Sequence, residues 1–179
     1  MKNNIIYITG FMGSGKSTIG PILANSLGWN FMDIDEIIEK ELGKKIKDIF
    51  KEEGEQYFRK IETELISKIS KLDEVVVSLG GGTIASNDNL RKLQESGKII
   101  YLKNSPEEIY ERLKYKLDRP LFQTDDNIPL NKEEAMKRIR DLLNYREQFY
   151  NQADIILDMQ KLSLGNAVDY LIKLIEKTK

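Results

Sequence analysis

The stretch Gly10-Phe11-Met12-Gly13-Ser14-Gly15-Lys16-Ser17-Thr18 constrains this chain more than any other. Its spacing is glycine, four residues, then Gly-Lys-Ser. An apolar run, Ile5-Ile6-Tyr7-Ile8-Thr9, leads into it, and Ile19, Ile22, Leu23 and Leu27 follow at helical spacing. Strand, glycine loop and helix form the context that a phosphate-binding loop requires. The glycines let backbone amides turn inward toward phosphate oxygens. The helix start adds the positive end of its dipole. Lys16 would bring a mobile cation to the outer phosphates, and the Ser17 hydroxyl is suited to a magnesium ion. The candidate nucleotide-binding residues are therefore Gly13, Ser14, Gly15, Lys16, Ser17 and Thr18. The plainer alternative is a strand-to-helix turn that happens to be glycine-rich. At ordinary glycine usage a chance match in a chain this size arises roughly once in a hundred or less.

A chain of 179 residues suits one compact domain, 1–179, with a substantial core. The net charge is -1 and no basic stripe stands out, which gives a nucleic-acid partner no electrostatic support. There is no cysteine and no histidine. A general base must then be Asp, Glu, Lys or Tyr, and His/Cys metal sites are excluded. No apolar run is long enough to span a membrane. The N-terminus enters a strand at once, without room for a signal peptide, so the expected location is cytoplasmic. The near-zero charge neither favours nor forbids dimers, and a monomer is the default expectation.

Hydrophobic periodicity predicts strands at 5–9, 30–33, 74–78, 99–102 and 154–157. Between them it predicts helices near 16–27, from Asp35 to Gly43, around Ile46 to Phe50, and from Glu55 to about Ser70. Further helices are expected near 88–96, from Pro106 to about Leu117 with Ser105 as N-cap, from Lys132 to Tyr150, and over Leu164 to Ile175. Residues 118–131 are polar and punctuated by Pro120 and Pro129. A loop of that length is often a lid. Strands alternating with helices imply an α/β fold with a mainly parallel sheet covered on both faces.

Several residues outside the loop can carry chemistry. In an open parallel sheet, ligands sit at the carboxyl ends of strands. The strand ending at Asp33 brings Asp33 and Asp35 there. One carboxylate could hold magnesium, directly or through water, and the other could accept a proton from a hydroxyl nucleophile. They could equally be solvated helix-start acids. Arg59 and Glu62 stand one helical turn apart. They are either an ordinary surface ion pair or a guanidinium held with its fork free for a substrate carboxylate. Gly80-Gly81-Gly82 follows a buried strand, and three successive glycines suggest close approach of a ligand to the backbone. Arg119 in the candidate lid and Arg146 on the next helix could neutralise charge or simply lie on the surface. Phe50, Phe58, Tyr145, Phe149 and Tyr150 read most simply as core or helix-packing residues.

Taken together these residues resemble the shikimate kinase family, within the nucleoside-monophosphate-kinase-like group of P-loop enzymes. The resemblance rests on residues 10–20, Asp33-x-Asp35, Phe58-Arg59-x-x-Glu62, Gly80-Gly81-Gly82, Arg119-Pro120-Leu121, and Arg146 followed by Tyr150 and Ala153-Asp154. It covers essentially the whole chain. It implies a five-stranded parallel sheet of order 2-3-1-4-5 sandwiched by helices, with substrate-binding helices about 34–60 and a lid about 113–131. It implies transfer of the ATP γ-phosphate to the 3-hydroxyl of shikimate, with Mg2+. By the same resemblance, Asp35 binds the diol and acts as base or orienter. Arg59, Arg146 and the Gly80–Gly82 backbone hold the acceptor. Lys16 and Arg119 act on the phosphates, Arg112 stacks on adenine, Ser17 ligates magnesium and Asp33 reaches it through water. Phe50 and Phe58 match contacts to the substrate ring. The alternatives are a gluconate-type kinase of the same group and a non-catalytic nucleotide-binding switch.

Overall fold

The computed structural model describes residues 4–115, 130–160 and 162–176. Five strands, β1 (Ile5–Thr9), β2 (Asn30–Asp33), β3 (Val75–Ser78), β4 (Lys98–Lys103) and β5 (Ile155–Asp158), form one sheet of order β2-β3-β1-β4-β5. Every neighbouring pair is parallel, with Ile5 opposite Val75 and Tyr7 opposite Ile99 in the central registers. A parallel pair cannot be closed by a hairpin, so a helix-bearing crossover links each strand to the next. The helices are α1 (Lys16–Leu27), α2 (Ile34–Leu42), α3 (Ile46–Glu52), α4 (Gly54–Ile69), α5 (Asn87–Ser96), α6 (Pro106–Leu113), α7 (Lys132–Tyr150) and α8 (Leu164–Glu176).

Side chains of a strand alternate between its two faces, and here both faces are buried. Ile5 and Tyr7 point into a core shared with Phe58, Leu65, Ile66 and Ile139. Ile6 and Ile8 point the other way, against Leu23 of α1 and Val168 and Leu171 of α8. Several apolar residues depart from the sequence expectation, among them Ile156 of β5 and Leu164 of α8, both exposed. Ile22 lies on the outer side of α1, 45% exposed, and Tyr145 is 57% exposed although its ring meets Phe149 edge-on. Pro21 sits inside α1 without ending it. Ser105 caps α6 through a reciprocal capping box with Glu108, with proline in the first turn.

β1 lies between β3 and β4, so the crossovers diverge from it to either side. Such a switch point leaves a crevice at the carboxyl ends of the strands. The phosphate loop after β1, Asp33 at the end of β2 and the glycines after β3 all open there. The lid segment, with Arg119, falls largely outside the described residues. Among the described residues no helix is long and apolar enough to cross a membrane.

Candidate active site

The loop between β1 and α1 is built as an anion cradle. Gly15 stands at the N-cap of α1 with φ +105°, a left-handed conformation that favours glycine. A glycine N-cap has no side chain to accept the first helical amides, and no side-chain cap bond is made. The Thr18 N–H turns back onto the Gly15 carbonyl at 3.0 Å, and the helix start faces an anionic ligand with the positive end of its dipole. The Lys16 ammonium folds over the loop and donates to the carbonyls of Gly10 (2.8 Å) and Phe11 (3.0 Å). Arg112 of α6 crosses to the same loop, donating to the Gly13 carbonyl at 3.0 Å. Ser14 is fully buried, and its hydroxyl has no partner among the described residues. Its N–H closes a turn onto the Phe11 carbonyl at 3.1 Å. Ser14 thus shapes the loop from beneath.

Asp33 and Asp35 divide their labour at the start of α2. Asp33 is the N-cap, and its Oδ1 accepts from the backbone N–H of Asp35 (3.0 Å) and of Glu36 (3.3 Å). Both bonds use one oxygen, which leaves Oδ2 for a water or an ion. Asp35 is drawn inward. Burial, then the negative charges of Asp33 and Glu62, push its carboxyl up to about 6, against the pull of Lys16 and Arg59. A carboxyl tuned toward neutrality beside a phosphate loop has the character of a proton acceptor.

The Arg59–Glu62 pair is not a surface pair. Glu62 is fully buried, and its Oε2 accepts from Arg59 Nη1 at 2.9 Å. Glu55 takes two further bonds from the same guanidinium. An exposed ion pair contributes about 0–1 kcal/mol; here the carboxylate is withdrawn from water while the guanidinium stays about one-third exposed. Arg59 is thus fixed, with its plane also near the rings of Phe58 (5.3 Å) and Phe50 (6.0 Å). The buried side of Glu62 belongs to a polar network. Thr83 donates its hydroxyl to Glu62 Oε1, the Thr83 carbonyl accepts from Asn89 Nδ2 (2.9 Å), and Asn89 Oδ1 meets the Thr63 hydroxyl (2.9 Å). Sequence reasoning passed over Thr83, Asn89 and Thr63. No spacing rule marks a bond between α4 and the loop after β3.

The three glycines have a steric cause that reading the sequence did not supply. None needs a left-handed backbone. Each instead makes room for a side chain of the site. A Cβ on Gly80 would lie 2.8 Å from Asp35 Oδ1, one on Gly81 3.3 Å from Arg146 Nη1, and one on Gly82 2.6 Å from Arg59 Nη2. Tyr150 reinforces this corner by donating its hydroxyl to the Gly81 carbonyl at 2.5 Å. Burial raises that phenol to about 12, so it stays a donor at any working pH. Arg146, one turn earlier on α7, lies over the Phe11 ring at 5.5 Å.

One cavity of about 320 Å³ collects these groups, including Lys16, Ser17, Asp35, Arg59, Gly81 and Arg146. Asp33, Phe50 and Phe58 also line it. A larger cleft of about 780 Å³ lies beyond, and Arg59, Gly82 and Arg146 border both. Arg119 lies outside the described residues. Arg112 is set apart from this cavity, at the outer edge of the phosphate loop.

A phosphate cradle, a tuned carboxyl and a pair of arginines at one switch point define a P-loop phosphotransferase with room for a small acceptor beside the nucleotide. Comparison with known proteins narrows the class. The family model for shikimate kinase matches residues 12–176, and the chain belongs to the shikimate kinase family. The shikimate kinase of Chlorobaculum tepidum is 45% identical over 175 residues, covering 98% of this chain and 92% of that protein. That of Chlorobium phaeobacteroides is 42% identical over 98% of this chain and 92% of its own length. The solved structure of shikimate kinase from Acinetobacter baumannii in complex with shikimate superposes with a TM-score of 0.87 at 31% identity. That superposition covers 99% of this chain and 95% of the other.

Proposed function

We propose that this chain transfers the γ-phosphate of ATP to the 3-hydroxyl of shikimate. The observation that carries the reading is the meeting of Arg59 and Arg146 at the glycine triplet, in the cavity that also holds Asp35 and the phosphate loop. Two guanidinium groups beside one apolar wall suit a ring acid, since the planar fork matches a carboxylate. Asp35 then lies on the side of the acceptor hydroxyl, where it orients the nucleophile and receives its proton. Lys16 and the amides at the start of α1 hold the donor. Phosphoryl transfer asks little covalent work of the protein, so placement and charge suffice.

The residues present fit a magnesium ion. Ser17 offers a hydroxyl, and Asp33 offers the carboxylate oxygen its capping bonds do not use. Held by these two residues, magnesium would supply positive charge against that of the phosphates. Helices near 34–60 would form the acceptor side, and residues about 113–131, bearing Arg119, would close over the phosphates.

ADP release measured with shikimate, gluconate and nucleoside monophosphates offered separately tests the reading. Release that depends on shikimate alone is expected. Release with gluconate or a nucleotide instead would replace the acceptor, and release with none would point to a nucleotide-binding switch.

A further expectation concerns Gly82→Ala. The new methyl would meet the far end of the Arg59 side chain, which can move, so the fold should survive. The displaced guanidinium should raise KM for shikimate at least about tenfold, the effect of losing a charged hydrogen bond. KM for ATP should stay within about twofold by the same scale. Parallel steady-state titrations of both substrates check this, and an equal rise for the two would contradict it.

A further inference from the structure

We infer that Thr83, through its hydroxyl on the buried Glu62, is a positioning residue that sets the Arg59 guanidinium for the acceptor's carboxylate. The inference rests on the proposed acceptor role of Arg59. Glu62 carries two oxygens in a fully buried place, and each has one assigned donor: Arg59 Nη1 on Oε2 and Thr83 on Oε1. A carboxylate held at one oxygen can rotate about its terminal torsion, which is broad for glutamate. Held at both, it presents Oε2 in one direction and so fixes the direction of Arg59.

Thr83 is itself immobilised. It is fully buried, its N–H bonds the Gly80 carbonyl at 3.1 Å, and its own carbonyl receives Asn89. Asn89 is anchored in turn, because its N–H bonds the α5 cap Ser86 and its Oδ1 meets Thr63. The single Thr63 proton has two acceptors within reach, Asn89 Oδ1 at 2.9 Å and the Arg59 carbonyl at 2.8 Å one turn back on α4. Through Glu62 and Thr83 the network ties the Arg59 guanidinium to the loop that carries Gly80–Gly82. Arg59 and the glycine it crowds, Gly82, are kept in register by Glu62, at the wall of the 320 Å³ cavity, and by Thr63, Thr83 and Asn89, which border the 780 Å³ cleft.

The inference assigns the effect of Thr83 on the acceptor to Arg59, so that effect should vanish when Arg59 is gone. The test is a double-mutant cycle in kcat/KM for shikimate, taken from initial slopes so that high KM values do not interfere. Thr83→Val should lower kcat/KM for shikimate about tenfold in the native background. In the Arg59→Ala background the same change should cost less than about twofold. KM for ATP should be unmoved, and Thr83→Ser, which keeps the hydroxyl, should restore the native value. Thr83→Ala takes the place of valine if the valine protein is not recovered.

Equal losses in the two backgrounds, no loss with valine, or no rescue by serine would overturn the inference. Failure of both the valine and alanine proteins to fold would make Thr83 a structural residue and overturn it as well. Arg59→Ala alone reports on the underlying reading. If it weakens shikimate and ATP equally, the acceptor role of Arg59 falls, whatever Thr83 does.

Discussion

Asp35→Asn is expected to lower kcat by about two to four orders of magnitude, the range that general acid–base groups contribute. The substitution keeps the side chain's shape and removes both its charge and its capacity to accept a proton. In the native chain, kcat/KM for shikimate should fall tenfold per pH unit below a break near 6, since burial and the Asp33 and Glu62 charges raise the Asp35 carboxyl to about 6. The sign follows from protonation: above the break Asp35 is a carboxylate and can accept the hydroxyl proton, and below it the site is already filled. The same shift has a counterpart in stability. The folded chain holds the proton more tightly than the unfolded chain, whose value lies near 3.8. The stability contribution is therefore complete below the unfolded value and is lost as pH rises through about 6. At neutral pH the charged Asp35 costs the fold on the order of 3 kcal/mol. Asp35→Asn should then melt at the native temperature or several degrees higher, by about 2–4 °C per kcal/mol. A variant that loses activity and also melts early would show that Asp35 holds the structure instead.

The opposed effects on rate and stability explain which parts of this site a sequence reveals. The phosphate loop was legible because its requirements are local. A positive φ at Gly15, a lysine beside it and a helix start all fall within consecutive residues. The strand order 2-3-1-4-5 came with the resemblance, and the parallel sheet itself came from the alternation of strands and helices. Asp33 and Asp35 were legible as a pair, but their division was not. Which carboxylate caps α2 and which turns inward depends on packing against Gly80, which is distant only in sequence. Glu62 is the clearest case. Spacing alone left open an exposed pair with Arg59, and only the docking of α4 against the loop after β3 makes Glu62 fully buried. The glycine triplet was noticed for its rarity and explained by ligand contact. Its immediate cause is room for Asp35, Arg146 and Arg59. In each case the missing information is a distance between elements, which no single helical or strand period carries.

Lys16→Met should lower kcat by about three orders of magnitude, on the scale measured for removing one charge-stabilising donor from a transition state. Its ammonium bonds the carbonyls of Gly10 and Phe11, so in this structure it ties the two ends of the loop together. A charged phosphate oxygen is a stronger acceptor than a neutral carbonyl. The lysine can therefore exchange a loop carbonyl for a phosphate when ATP enters, with the loop amides then held by the ligand itself. Charge on the transferring group moves during the reaction, and a mobile ammonium can follow it. The loss should for that reason fall mainly on kcat. ATP affinity, which the amides at the start of α1 also support, should weaken only about tenfold. Titration of the variant with ATP by calorimetry, beside single-turnover measurement of the chemical step, separates the two effects. Near-normal turnover in Lys16→Met would overturn the assignment of this loop as the donor site. A loss of binding as large as the loss of rate would mean that Lys16 serves to build the loop, with no added role in the transition state.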